Sequence, residues 1–288
     1  MPELPEVETV RIGLARLIVG KKVESVDFDW PKGFPNSSSD VEAFLVGAAV
    51  SDVRRRAKVL MIDLSTNYTL VIHLKMTGQL VYRGTVDFGA GHPNDSLIGN
   101  LPDKSTRVTF KFTDSTRLFF NDQRKFGWVR LMPTSEVRHL PFMQKVGPEP
   151  LDQEFTFKVF EQRIMRRKNS AAKAVLLDQS VLAGLGNIYV DEALWGASIH
   201  PETKFANVPT AKLKKLHSEI IEILTLSIDM GGSTNRNYVN AEGKKGRYMD
   251  FARVFRRENL PCLRCGTTIV KTRVAGRGTH TCPKCQNS

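Results

Sequence analysis

The sequence predicts an α+β fold: an N-terminal helix with an antiparallel β-sandwich, then a helical module, then a small cysteine-bearing hairpin. Three features carry this. Apolar residues fall at helical spacing near the N-terminus and then alternate through short runs up to Phe120. After a proline-rich stretch at 141–150 they return to helical spacing. All four cysteines then sit in two Cys-x2-Cys pairs near the C-terminus.

The opening helix is read over Glu6–Ile18, where Val7, Val10, Leu14, Leu17 and Ile18 form one stripe. Strand-like runs follow at Val26, Phe28 and Trp30, at Val59–Leu64, and at Leu70, Ile72, Leu74 and Met76. Val108, Phe110 and Phe112 alternate in the same way, as do Leu118 and Phe120, and turn residues separate the runs. Arg83–Ser105, rich in Gly, Pro, Asn and Asp, reads as a surface excursion. Residues 1–138 are therefore expected to form the β domain, and 139–154, with Pro141, Gly147, Pro148 and Pro150, a hinge linker. Helices are expected over Phe155–Arg167, Ala171–Asp178 and Ile188–Gly196. A fourth carries Leu213, Leu216, Ile220, Ile223, Leu224 and Ile228 on one face and stops at Gly231-Gly232. The helical module thus takes 155–235 and the last segment 236–288.

At 288 residues, with 41% apolar and 25% charged side chains, the chain has room for about two ordinary globular domains. Disorder and collagen are excluded, and no apolar run approaches the ~20 residues of a spanning helix. The start, MPELPEVETV, is acidic and punctuated by proline, unlike a signal peptide. A cytosolic setting follows as the expectation, in which cysteines hold metal rather than pair.

The formal net charge is +12. Segment 236–288 has twelve Lys or Arg against three acidic residues, so nine of those charges lie there. Charge alone leaves two readings open, a polyanion-binding surface or a solvated basic face. The cysteines are more specific. Cys262-x2-Cys265 and Cys282-x2-Cys285, sixteen residues apart, can supply a tetrahedral set of thiolates for one structural zinc ion. His280 is a fifth candidate that four thiolates make unnecessary. The intervening hairpin carries Arg273 and Arg277 in RVAGRGTH, where an arginine at a glycine-rich tip suits a phosphate.

Proline at position 2 permits removal of the initiator methionine, which leaves a free secondary amine. An α-amino group has a pKa near 8, against about 10.4 for lysine, so it is a ready nucleophile toward a masked aldehyde. Glu3 is adjacent and Glu6 one helical turn away, placed to protonate a sugar oxygen or relay protons. The other reading of the same residues is a capped helix start.

PELPEVETV resembles the start of the formamidopyrimidine-DNA glycosylase branch of the Fpg/Nei family of base-excision enzymes. Six further blocks agree in order: RRRAKVLMIDL, HLKMTGQL, NDQRKFGWV, LLDQSVLAGLGNIYVDEAL, GGSTNRNYVNAEGKKG and CLRCG…RVAGRGTHTCPKCQ, spanning residues 2–285. The resemblance implies a catalytic β-sandwich, a helix-two-turn-helix module at 155–235, and a lesion loop with a zinc finger at 236–288. It also implies an AP lyase and glycosylase of the bacterial type, acting as a monomer on damaged duplex DNA in the nucleoid, with no membrane and no obligate protein partner.

By the same resemblance Pro2 attacks C1′ and expels the base, Glu3 protonates the sugar ring and Glu6 supports it. Lys58 contacts a phosphate and moves a proton in β-elimination, and Arg277 clamps phosphate and assists δ-elimination. Asn187 binds the same phosphate region from a helix N-terminus, or simply caps that helix. Met76, Arg124 and Phe126 fill the gap left by an extruded nucleotide, with Phe126 as wedge and Arg124 facing the orphaned base. Taken by themselves, Met76 and Phe126 also read as core packing, and Lys58 as a solvated strand-edge lysine. Lys125, Lys168 and Lys173 are expected to contact the DNA backbone, and Ser233–Gly246 to cover the lesion base. The Arg83–Ser105 connection is longer than usual in the family, Ser105 stands where many relatives carry histidine, and VFRRE at Val254–Glu258 replaces a more common Tyr-Gly pair. Two other functions stay open: a non-catalytic zinc-ribbon DNA-binding protein, and an endonuclease VIII-like enzyme preferring oxidised pyrimidines.

Overall fold

The computed structural model describes residues 1–92, 94–233 and 246–287. Helix α1 (Leu4–Ile18) opens the chain, followed by β1 (Val23–Phe28), a short α2 (Ser38–Asp40), β2 (Val50–Arg56), β3 (Val59–Leu64) and β4 (Tyr68–His73). Strands β5 (Gly78–Arg83), β6 (Phe88–Gly91), β7 (Thr106–Phe112), β8 (Arg117–Asp122) and β9 (Trp128–Pro133) complete two antiparallel sheets. One sheet has the order β1-β7-β8-β5-β6 and the other β2-β3-β4-β9. The expected sandwich is there because period-2 alternation gives each sheet one apolar face. Val53, Leu60, Ile62, Leu70 and Ile72 from one sheet and Leu80, Val108, Phe110, Leu118 and Phe120 from the other share a core with Val7, Val10 and Leu14 of α1.

Three expectations need correction. The helix begins at Leu4, because Pro5 suits its first turn and Glu3 serves as N-cap. The run ending in Leu74 and Met76 is not one strand: β4 stops at His73, and both residues lie in the turn before β5. The Arg83–Ser105 segment is not purely a surface excursion. Phe88, Ala90 and Leu97 within it are buried, and β6 pairs along β5. Phe88 also explains Gly13: a Cβ on Gly13 would lie 2.2 Å from the Phe88 ring, so only glycine lets α1 approach it.

Helices α3 (Pro141–Lys145), α4 (Phe157–Met165), α5 (Ala172–Leu177), α6 (Asn187–Gly196) and α7 (Thr210–Asp229) follow, then the hairpin β10 (Val270–Val274) and β11 (Arg277–Thr281). Of the apolar stripe predicted for the last helix, Leu213, Leu216, Ile220, Ile223 and Leu224 are buried on α7 and Ile228 is half-buried; the helix ends as Gly231 and Gly232 take φ of +74° and +86°. The chain divides into two compact units, Met1–Gln144 with Ile228–Met249, and Lys145–Ser227 with Asp250–Ser288, as far as these are described. The proline-rich stretch is ordered: Phe142 and Met143 of α3 pack with Trp128, while Gly147 N–H donates to the Gln179 carbonyl at 2.8 Å. Among the described residues no helix is long and apolar enough to cross a membrane.

Candidate active site and nucleic-acid surface

In the N-terminal unit Pro2 and Glu3 are buried at the start of α1, while Met1 ahead of them is 47% exposed. Glu6 explains how this start is fixed. Its Oε2 accepts the Glu3 N–H at 2.8 Å, the return half of a capping box. Its Oε1 accepts both the N–H (2.9 Å) and the hydroxyl (2.8 Å) of Ser233. Glu6 thus joins the helix start to Ser233, the first residue of the expected lesion loop. Residues 234–245 of that loop lie outside the described residues.

Lys58 sits with Ala57 in the two-residue turn between β2 and β3, where Ala57 takes φ +52°. It is only 8% exposed, so the solvated strand-edge reading fails. The turn is tied to α1 through Arg55, which donates to Glu8 Oε2 (2.8 Å) and to the Ala57 carbonyl (2.9 Å). Burial alone would raise the Glu8 pKa, but hydrogen bonds from Arg11 and Arg55 outweigh it and hold the carboxyl below its usual value. Arg54 is likewise spent on Asp63. Within the basic run 54–58, Arg54 and Arg55 are thus engaged by acidic partners and Lys58 is buried. His73, which the sequence reading did not single out, completes this corner. Burial first, then the charges of Lys75 and Lys58, push its pKa down to about 3, so it stands neutral and its Nδ1 accepts the Lys75 N–H at 3.1 Å.

Met76, Arg124 and Phe126 come from two turns of the same unit, between β4 and β5 and between β8 and β9. Phe126 is 53% exposed and Arg124 and Lys125 are exposed beside it, so core packing does not account for Phe126. Met76 is half-buried. The Arg124 guanidinium lies 5.0 Å from the Phe126 ring centre, and Lys125 lies 4.4 Å above Trp30.

In the second unit all four Sγ atoms lie within 4.8 Å of one another, the one such cluster of metal-binding side chains among the described residues. Cys262 and Cys285 are 3.9 Å apart, and Cys265 and Cys282 3.5 Å. Zinc–sulfur bonds of about 2.3 Å in a tetrahedron separate sulfurs by about 3.8 Å, so the thiols fit a zinc ion. Arg264 N–H donates to Cys262 Sγ, and Cys285 N–H to Cys282 Sγ, each at 3.4 Å, which orients the sulfurs inward. His280 is not a further ligand, because its ring is held between Asp191 and Glu258, both 3.3 Å away.

The hairpin turn is Ala275-Gly276, with φ of +50° and +73°, and Val274 pairs with Arg277 across it. Both turn residues thus have the positive φ of a type I′ turn, which suits the strand twist. Arg277 is exposed at that tip. Asn187 is the first residue of α6 and does not cap it, since Gly186 holds the N-cap position; its Nδ2 donates to the Gly278 carbonyl at 2.9 Å. Lys168 is exposed just past α4. Lys173 must be withdrawn as a DNA contact. It is fully buried, and its Nζ binds Asp191 Oδ1 (2.6 Å), Thr279 Oγ1 (2.8 Å) and the Gly278 carbonyl (3.2 Å). The VFRRE segment is similarly anchored: Glu192, fully buried, accepts the N–H groups of Arg253, Val254 and Phe255 at 2.8–2.9 Å. Burial pushes the Glu192 carboxyl above its ordinary pKa, against those three donors and Arg253.

Residues 1–129 match the family model described as the formamidopyrimidine-DNA glycosylase N-terminal domain, 146–239 the corresponding H2TH domain, and 259–287 a zinc finger found in FPG and IleRS. The chain is 42% identical to the formamidopyrimidine-DNA glycosylase of Enterococcus faecalis, over 99% of this chain and 97% of that one. It is 41% identical to that of Halalkalibacterium halodurans, over 99% and 100%. Among solved structures, Lactococcus lactis Fpg bound to DNA containing N7-benzyl-Fapy-dG matches with a TM-score of 0.87 and 36% identity, covering all of both chains. The same protein with DNA containing an abasic site gives 0.87 and 36%, over 99% and 100%.

Proposed function

The chain belongs to the formamidopyrimidine-DNA glycosylase family, and on that premise we propose how its own residues carry the chemistry of a bifunctional DNA glycosylase/AP lyase. The substrate is duplex DNA with an oxidised purine, 8-oxoguanine or a formamidopyrimidine, and the place of action is the nucleoid. The single observation that carries the assignment of residues is the start of α1, where Glu3 is buried beside Pro2 and braced by Glu6.

After Met1 is removed, the Pro2 nitrogen attacks C1′ and the glycosidic bond breaks, its electron pair leaving with the base, which takes up the proton that the Pro2 nitrogen loses. Glu3 protonates the ring oxygen, the sugar opens, and C1′ is held as an iminium on Pro2. The iminium draws electrons from the C2′–H bond. Loss of that proton, with Lys58 at the phosphate, expels the 3′-phosphate, and loss of the C4′ proton then expels the 5′-phosphate with help from Arg277. Water releases the sugar fragment and restores the amine. Met76, Arg124 and Phe126 occupy the space of the extruded nucleotide, and Lys125, Lys168 and Asn187 hold the backbone. One structural zinc ion on Cys262, Cys265, Cys282 and Cys285 supplies folding energy to the hairpin bearing Arg277.

Side-by-side cleavage of duplexes with 8-oxoguanine and with an oxidised pyrimidine tests this function. Faster strand cleavage at the purine lesion is expected; faster cleavage at the pyrimidine would give the endonuclease VIII-like preference, and binding with no cleavage would leave only a DNA-binding module. The zinc role makes a separate prediction. Cys282→Ser should lose the bound metal and weaken duplex binding together, measured by metal analysis and by titration of labelled duplex, and unchanged values for both would refute it.

A further inference from the structure

Arg124 and Phe126 present a selectivity problem. Both are exposed, so no core contact fixes them, yet reading one orphaned base requires a defined position. What fixes them is the backbone beneath. Asp122, the last residue of β8, is 1% exposed, and its carboxylate is surrounded by donors. Oδ1 accepts the Thr77 hydroxyl and the Arg124 N–H (3.2 Å), and Oδ2 accepts the Gly127 N–H (2.7 Å). The Arg124 N–H also reaches Thr77 Oγ1 at 3.1 Å. One carboxylate therefore closes the 123–127 turn at both ends and, through Thr77, binds the residue next to Met76.

The rest of the surroundings make this arrangement stiff. The Asp122 N–H donates to the Ser105 carbonyl (2.7 Å), and its own carbonyl accepts Arg107 Nε (3.0 Å). Arg107 is 6% exposed and further bound by Asp29 and the Lys104 carbonyl. Lys125, between Arg124 and Phe126, takes φ +57°, a conformation an isolated lysine disfavours. A Cβ on Gly127 would lie 2.7 Å from Phe120 and 3.1 Å from Asp122 Oδ2, so the turn also has to close on glycine. A turn held this way against its own preference would open if the carboxylate let go.

We propose that Asp122 and Thr77 are positioning residues that lock the Met76 turn to the Arg124–Phe126 turn and thereby set discrimination between bases opposite the lesion. The inference rests on the glycosylase reading above. Ordered donors on Arg124 favour a partner base rich in acceptors, such as cytosine, only while the turn is closed. With the lock broken, the turn bearing the wedge and the reader opens and moves independently of Met76, and partner selectivity falls before the chemistry at Pro2 does.

The test compares wild type with Thr77→Val, Thr77→Ser and Asp122→Asn as full chains. Two readouts are needed: kcat/KM for 8-oxoguanine opposite cytosine and opposite adenine, and borohydride trapping on a single-stranded oligonucleotide with a preformed abasic site. Thr77→Val and Asp122→Asn should each lower the cytosine-to-adenine ratio by about tenfold while leaving single-stranded trapping at the wild-type rate. Thr77→Ser, which keeps the hydroxyl, should restore the ratio. The inference is overturned by an unchanged ratio in Thr77→Val, by an equal loss of trapping in that variant, or by failure of serine to rescue. A wild-type chain that traps nothing would instead overturn the glycosylase reading, so the two failures are distinguishable.

Discussion

A chain that cannot lose Met1 should give no covalent adduct when abasic duplex is treated with borohydride, whereas the processed chain beginning at Pro2 should be trapped. An added leucine between Met1 and Pro2 makes such a chain, because methionine removal requires a small neighbour. Pro2 is then joined through an amide, whose nitrogen lone pair is delocalised into the carbonyl and attacks no aldehyde. Strand cleavage should fall by at least about 10³-fold, the scale on which enzymes lose a covalent nucleophile. Binding of undamaged duplex should change little, since Arg277, Lys168 and Asn187 are untouched. An undiminished adduct in the blocked chain would take the nucleophilic role from Pro2 and give it to another amine, a lysine side chain or the retained Met1 α-amine. Met1 is half-exposed ahead of a buried Pro2, so processing removes an accessible residue without disturbing the cap that Glu3 and Glu6 form.

The parts of this site that were legible in the sequence are those whose chemistry lies in local spacing. Two Cys-x2-Cys pairs announce their metal, since each pair must place two sulfurs around one turn, and the four Sγ atoms do converge. The stripe along α7 is similarly readable, because one periodic face has to be buried. Strand β6 was not legible: its sequence, FGAG, is four residues long and half glycine, and it becomes a strand because β5 offers an edge and Gly13 a place for Phe88. Long-range pairs were equally hidden. Thr77 and Asp122 are 45 residues apart, and only the sheet order that sets β5 beside β8 brings them together. Lys58 and Lys173 show the same limit from the other side. A lysine in sequence looks like surface charge, and tertiary packing has buried both.

For Lys173 that burial has a large consequence. Its ammonium and the Asp191 carboxylate are both fully buried and 2.6 Å apart. Asp191 also accepts the His280 N–H at 2.9 Å, so α5, α6 and strand β11 of the zinc hairpin meet at one ion pair. Lys173→Met keeps the volume of the side chain but leaves the carboxylate buried without its counter-charge. Breaking one partner of such a pair costs about 3–5 kcal/mol. A midpoint of thermal unfolding lower by roughly 6–20 °C is expected for domains of this size. The double variant Lys173→Met with Asp191→Asn should recover most of the loss, because the asparagine oxygen still accepts from His280 while the stranded charge is gone. Full recovery is not expected: the Lys173 donors to Thr279 and the Gly278 carbonyl are missing in both variants, and Gly278 follows Arg277 directly. Duplex affinity should therefore stay reduced in the double variant after stability has returned, which separates the hairpin's alignment from the fold's integrity. A single variant destabilised by less than about 1 kcal/mol would show that water or rearrangement neutralises Asp191, and the ion pair would then not be what holds the hairpin to α6.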